Sequence, residues 1–210
     1  MIAGKKRQGL LFQLLDIVVN IAVIVAIVLL IRTFLVSPYQ VEGSSMLETL
    51  VDKEYIIINK LAYYIGTPAR GDVVVFHPPS DSSKYYVKRV IGAPGDDVIL
   101  EGGSVYIRKA DSKEIRKLEE NEYLVRSNEG KTFRHPITNG DTSRIVYKVP
   151  EGKYFLLGDN RLNSHDSRSF MTGDGKPDPY VSRNQIKGKV WFVALPITKI
   201  HAIESPKYAQ

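Results

Sequence analysis

The sequence predicts a mostly β, antiparallel domain, sheet-like or barrel-like, behind one N-terminal membrane helix. Three observations carry this. A long apolar run fills most of the first 36 residues, the remaining chain alternates short β-branched and aromatic segments with turn signals, and helical periodicity is nearly absent after Pro38. The 210 residues are 43% hydrophobic and 25% charged, which excludes a disordered chain or a collagen-like fibre. Cysteine is absent, so disulfides, thiolate catalysis and Cys-ligated metals are excluded.

The membrane helix comes first. Residues 10–31 are interrupted only by Gln13, Asp16 and Asn20, and residues 21–31 hold no polar side chain. Twenty-two residues at a helical rise make about 33 Å, enough for a hydrocarbon core of about 30 Å. Lys5, Lys6 and Arg7 precede the run and only Arg32 follows it closely, so the positive-inside rule predicts a cytoplasmic tail over 1–9, an anchor over 10–36 and an extracytoplasmic domain over 37–210. A cleavable signal peptide fits less well, because its apolar core is shorter and ends in a small-x-small site, whereas this run leaves through Leu35-Val36-Ser37-Pro38. A buried core helix would need partners on every face. Past the anchor, 25 basic and 22 acidic side chains are spread thinly, too diffuse a charge to argue for nucleic acid.

Strands are predicted at residues 72–76, 85–91, 98–100, 105–107, 145–147, 154–157 and 190–194. Pro78-Pro79, Pro94-Gly95-Asp96, Gly102-Gly103, Asn139-Gly140 and residues 173–179 separate them as turns. Residues 112–121 read as a short polar helix. Residues 108–145 hold much charge and little apolar periodicity, and are expected to form a solvent-facing excursion.

Candidate chemistry is sparse. The four histidines, His77, His135, His165 and His201, are scattered, no HExxH or EF-hand pattern occurs, and no metal or other cofactor is expected. Gly92-Ala93-Pro94-Gly95 lacks the Lys-Ser/Thr of a phosphate cradle. One pair stands out: Ser44-Ser45 shortly after the membrane exit, and Lys88 within an apolar strand. Alternation places Lys88 on one strand face with Tyr86 and Val90, and Arg89 on the other with Val87 and Ile91. If the first face is buried, desolvation lowers the lysine pKa, and a neutral amine can take a proton from a serine hydroxyl. The bland alternative is a lysine snorkelling from a strand edge and a serine in a turn.

Four segments in register resemble the boxes of bacterial type I signal peptidases: GSSM at 43–46, RGDVVVF at 70–76, YVKRVIGAPGD at 86–96 and GDNRLNSHDSR at 158–168. With its single anchor the chain looks more like the Gram-positive branch. The resemblance implies a membrane-bound serine endopeptidase that removes signal peptides from exported preproteins. It implies Ser45 as nucleophile, Lys88 as general base and Ser164 as the hydroxyl orienting the lysine. Asp159, Arg161, Asp166 and Arg168 match positions that brace the site through ion pairs. Tyr39, Val41, Met46, Leu50, Tyr86 and Val87 match a groove suited to small side chains at −1 and −3, where an extended substrate adds as a strand. The partners implied are signal peptides and the lipid bilayer.

The chain departs from the family pattern at three positions. Glu48 stands where the family has Pro, Leu162 where an Asp is common, and Gly43 where some relatives carry a hydroxyl as second oxyanion donor. The oxyanion hole is then expected to use the Ser45 N–H with either the Gly43 backbone or water. A rival reading with the same dyad, a cytosolic self-cleaving repressor, would carry a DNA-binding domain where this chain has an apolar span. Two others are a triad through His165 with Asp159 or Asp166, and a membrane-anchored assembly or binding factor on the same scaffold.

Overall fold

The structure is a computed structural model that describes residues 3–47, 49–133, 143–206 and 208. Glu48, His135 and the Asn139-Gly140 turn lie outside the described residues. Helix α1 spans Ala3–Leu30 and closes in a π-helical turn, Ile31–Leu35, that feeds directly into strand β1, Val36–Gln40. The window Phe12–Leu35 is long and apolar enough to cross a membrane, and none of it is buried against the rest of the chain.

There follow β2 (Tyr55–Asn59), a helical turn α2 (Ala62–Ile65), β3 (Val73–Phe76), β4 (Tyr86–Gly92), β5 (Asp97–Glu101), β6 (Ser104–Arg108), β7 (Ile115–Lys117), β8 (Ile145–Lys148), β9 (Lys153–Leu157), β10 (Val181–Ser182), β11 (Ile186–Leu195) and β12 (His201–Ala202). They pair antiparallel in two sheets. The larger, curled sheet runs β1-β2-β11-β3-β4-β9-β10 with β12 beside β11, and the smaller runs β7-β6-β5-β8. The mostly β, antiparallel prediction therefore holds.

Central β3 reads Val-Val-Val-Phe and is buried at every position, since β-branched side chains fill both faces of a covered strand. β5 and β6 are joined through Gly102-Gly103, both at positive φ (58° and 76°), the backbone that a two-residue hairpin turn needs. Buried side chains form three clusters. One packs Ile56, Ile58, Val73, Val190 and Val193 on one side of the large sheet. The second packs Phe76, Val90, Leu156 and Phe170 on the other. The third, with Ile91, Val98, Leu100, Val105 and Phe155, joins the two sheets.

Two expectations are corrected. Residues 112–121 form no helix; Ile115–Lys117 pairs with Tyr106–Arg108 instead, because a neighbouring strand with free backbone groups outweighs a weak local helical preference. Nor is the 108–145 excursion merely solvent-facing, since Leu118, Leu124, Asn128 and Thr132 are buried. Strands β1 and β2 were not among those predicted. β1 contains Pro38, yet it is an edge strand, where a missing N–H is tolerated.

Candidate active site

The loop after β1 carries Ser45 on a turn, where Leu47 N donates to Ser44 O at 3.1 Å and Leu50 N to Met46 O at 2.9 Å. Two asparagines of the 158–168 segment hold this turn from outside. Asn160 N donates to Ser45 O (3.1 Å), Asn160 Nδ2 to Ser44 O (3.0 Å) and Asn163 Nδ2 to Ser44 Oγ (3.0 Å). Gly158 lies in close contact beneath: a Cβ there would stand 2.1 Å from Ser164 Oγ and 2.5 Å from Ser45 O.

Lys88 reaches the same turn from β4. In the ladder it stands opposite Val74, with Val73 opposite Arg89. Tyr86 and Val90, its neighbours on one face, belong to the cluster with Val74 and Phe76. Lys88 is 3% exposed, and its Nζ lies 2.7 Å from Ser45 Oγ and 2.8 Å from Val87 O. Burial pulls its pKa down to about 8, against the opposing fields of Asp166 and Asp159.

Behind the pair lies a buried ionic frame. Arg89 grips Asp159 with two bonds, Nε to Oδ1 at 2.9 Å and Nη2 to Oδ2 at 2.7 Å, and Thr49 Oγ1 donates to Oδ2 at 2.6 Å. The Arg89 guanidinium stacks 4.0 Å from the Tyr123 ring centroid and donates to Gly71 O. Arg168 grips Asp166 through Nε and Nη2, both at 2.8 Å, and Gly158 N donates to the same carboxylate at 3.0 Å. Burial alone would raise the Asp166 pKa; the Arg168 pair and the Gly158 N–H together hold it below the usual range. Arg161 is fully buried, pairs with Glu120 and also bonds Thr132.

Asp159, Arg161, Asp166 and Arg168 are thus all buried in ion pairs, but two partners, Arg89 and Glu120, come from outside their segment. Ser164 Oγ is buried beside the Asp166 carboxylate, which it helps to keep ionised, and makes no hydrogen bond to Lys88. Leu162, by contrast, is exposed.

An open cleft of about 730 Å³ runs past Ser45 and Lys88, lined by Tyr39, Val41, Tyr86 and Val87, with Ile56 and Val75 in its wall. Met46 and Leu50 do not line it. Both are essentially inaccessible and pack in the core with Ile56 and Val73, because the turn that presents Ser45 points the flanking apolar side chains inward as anchors. The Gly43 N–H donates to Asp52 at 2.8 Å and is therefore taken. His165 lines the cleft, but its Nδ1 is 2.9 Å from Ser169 Oγ, whereas Ser45 Oγ is paired with Lys88.

Thr49, Arg89, Asn160 and Asn163 were missed by sequence reasoning. Arg89 had a usable signal, a charged residue beside Lys88 on a strand face otherwise apolar. The others had none, since their partners are as much as 119 positions away.

The curled antiparallel sheet thus brings a buried lysine onto a serine hydroxyl in an open apolar cleft. The family model for signal peptidase, peptidase S26, matches residues 14–195. The chain is 43% identical over 177 residues to a signal peptidase I of Bacillus amyloliquefaciens, covering 84% of this chain and 82% of that one. Against signal peptidase I T of Bacillus subtilis it is 40% identical, covering 86% and 84%. Against signal peptidase IB of Staphylococcus aureus it is 35% identical, covering 89% and 92%. The chain belongs to the type I signal peptidase family and is a serine peptidase.

Proposed function

We propose that this chain removes N-terminal signal peptides from exported preproteins after small residues at −3 and −1, with Ser45 as nucleophile and Lys88 as general base. The observation that carries the reading is the 2.7 Å approach of a desolvated Lys88 Nζ to Ser45 Oγ. With a pKa near 8, roughly a tenth of Lys88 is neutral at pH 7. The neutral amine takes the hydroxyl proton as Ser45 Oγ bonds to the scissile carbonyl carbon. The resulting ammonium returns that proton to the leaving nitrogen as the C–N bond breaks. Water, deprotonated by the same amine, then releases the acyl group.

The developing oxyanion is met by the Ser45 N–H. Since Asp52 holds the Gly43 N–H, the second donor is water. The ionic frame around Asp159, Arg161, Asp166 and Arg168 supports the lysine strand and takes no proton. Ser164 contributes packing under Gly158.

Two strand edges support the mode of substrate binding. β1 ends its sheet, and β4 pairs with β9 only from Arg89 onward, which leaves the Tyr86–Lys88 edge open. An extended peptide in the cleft takes backbone bonds from these edges, and the wall formed by Tyr39, Val41, Tyr86 and Val87 admits small side chains. Anchored by α1 with its N-terminus in the cytoplasm, the domain meets a signal peptide where its apolar core leaves the bilayer.

The test is cleavage of a preprotein bearing an Ala-x-Ala site, in detergent, across pH. The expected outcome is loss of activity in Ser45→Ala and Lys88→Ala, retention in His165→Ala, and a rate that climbs through about pH 8. A wild type that binds but never cleaves would turn the reading to an anchored assembly factor. A dead His165→Ala beside an active Lys88→Ala would establish a triad.

A further inference from the structure

A second cleft, about 410 Å³ in volume, opens on the far side of the wall formed by Tyr39 and Tyr85, whose rings pack 5.0 Å apart. Thr33, in the turn that ends the apolar span, lines it. Its charged lining is entirely basic: Lys60, Arg183 and Lys187, with His77 beside them and no carboxylate. None of the three cations has an acidic partner among the described residues. Lys60 Nζ caps the span instead, donating to Arg32 O at 3.3 Å and Thr33 O at 3.1 Å. Arg183 lies 5.4 Å from the Tyr63 ring centroid and donates to the Tyr63 carbonyl.

The depth of this cleft is set by its neighbours. Since Lys60 bonds the carbonyls that close the span, the cleft stands at the level where hydrocarbon gives way to headgroups. α2 forms its lip, with Tyr64 71% and Ile65 83% exposed, and both side chains are apolar bodies that water does not favour. Uncompensated cations at headgroup level beside an exposed aromatic and aliphatic lip match a molecule with an anionic head and an acyl tail.

We propose that this cleft binds the phosphate of an anionic phospholipid from the leaflet in which the span ends, at a site separate from the peptide groove. Lys187 and Arg183 supply the charge from β11 and the turn before it. Lys60 ties the site to the helix, and Tyr64 and Ile65 rest against the acyl region. Because Tyr39 and Tyr85 wall both clefts, an occupied lipid site also buttresses the groove. The lipid site itself does not depend on the peptidase reading.

The experiment uses the full chain in micelles of a zwitterionic detergent, and follows thermal unfolding as short-chain phosphatidylglycerol, short-chain phosphatidylcholine or glycerol 3-phosphate is added. Phosphatidylglycerol is expected to raise the midpoint saturably. Its apparent affinity is expected to fall about fivefold in Lys187→Gln and to vanish when Arg183→Gln is added. The surface control Lys113→Gln, in the smaller-sheet loop, is expected to bind as wild type does. Lys187→Gln alone suffices where the Arg183 change disturbs folding, since Arg183 also holds Tyr63. An equal response to phosphatidylcholine, or wild-type affinity in Lys187→Gln, overturns the site. A response to glycerol 3-phosphate as strong as that to the lipid assigns the cleft to a soluble anion and overturns the lipid proposal.

Discussion

Lys88 is where burial and charge oppose each other most directly. Burial lowers its pKa from 10.5 to about 8, so between those values the folded chain binds fewer protons than the unfolded one. Stability therefore rises with pH across that interval, and the whole penalty, about 3 kcal/mol, is present below it. Lys88→Met should stabilise the fold at pH 7 by up to that amount, less its two hydrogen bonds, and the advantage should fade toward pH 10.5. Unfolding of both chains in detergent at a series of pH values measures this. Gly158, under the Ser45 turn, has no room for a side chain. Gly158→Ala should abolish cleavage, read in the preprotein assay, because its methyl would displace both Ser164 and the Ser45 carbonyl. The serine and the lysine were legible as a candidate pair because strand alternation needs only local sequence. The close packing at Gly158 was not, since it brings the 158–168 segment against the Ser45 turn, more than a hundred residues away in the chain.

Among the elements, the 158–168 segment carries the frame, and its charges stand or fall with remote partners. Asp159→Asn should destabilise by about 3–5 kcal/mol, because it leaves Arg89 buried without its carboxylate. Glu120→Gln should act in the same direction through Arg161, although position 120 lies in the excursion that reads as solvent-facing. Denaturant midpoints of the two variants test the frame together. Leu50→Ala should lower stability by about 2–5 kcal/mol while leaving KM for a preprotein near wild type, because Leu50 sits in the core and not in the groove. A markedly raised KM would return Leu50 to the groove. That Arg161 and its companions form ion pairs was legible through the resemblance. Which partner each one takes was not, because the choice between Asp159 and Glu120 for Arg161 depends on how the excursion folds back.

For the whole molecule, three basic residues before the span and one after it set the expected orientation. Protease added outside intact spheroplasts should remove the domain after residue 37 and spare an N-terminal tag; the reverse pattern would invert the topology. Short β-branched and aromatic runs bounded by turn signals made seven strands readable, since both are local features of the sequence. β1 and β2 escaped notice because one carries a proline and the other, Tyr55-Ile56-Ile57-Ile58, has no glycine or proline turn beside it to mark its ends. By itself the sequence determined the membrane run, the β class and the serine–lysine pairing, all of which depend on local composition, spacing and short motifs. Only the tertiary structure decided that Met46 and Leu50 are anchors rather than groove walls. It also decided that Asp52 occupies the Gly43 N–H and that Arg89 and Glu120 complete the ionic frame. The physical reason is that burial and hydrogen-bond partnership belong to the packed whole, and no single segment contains them.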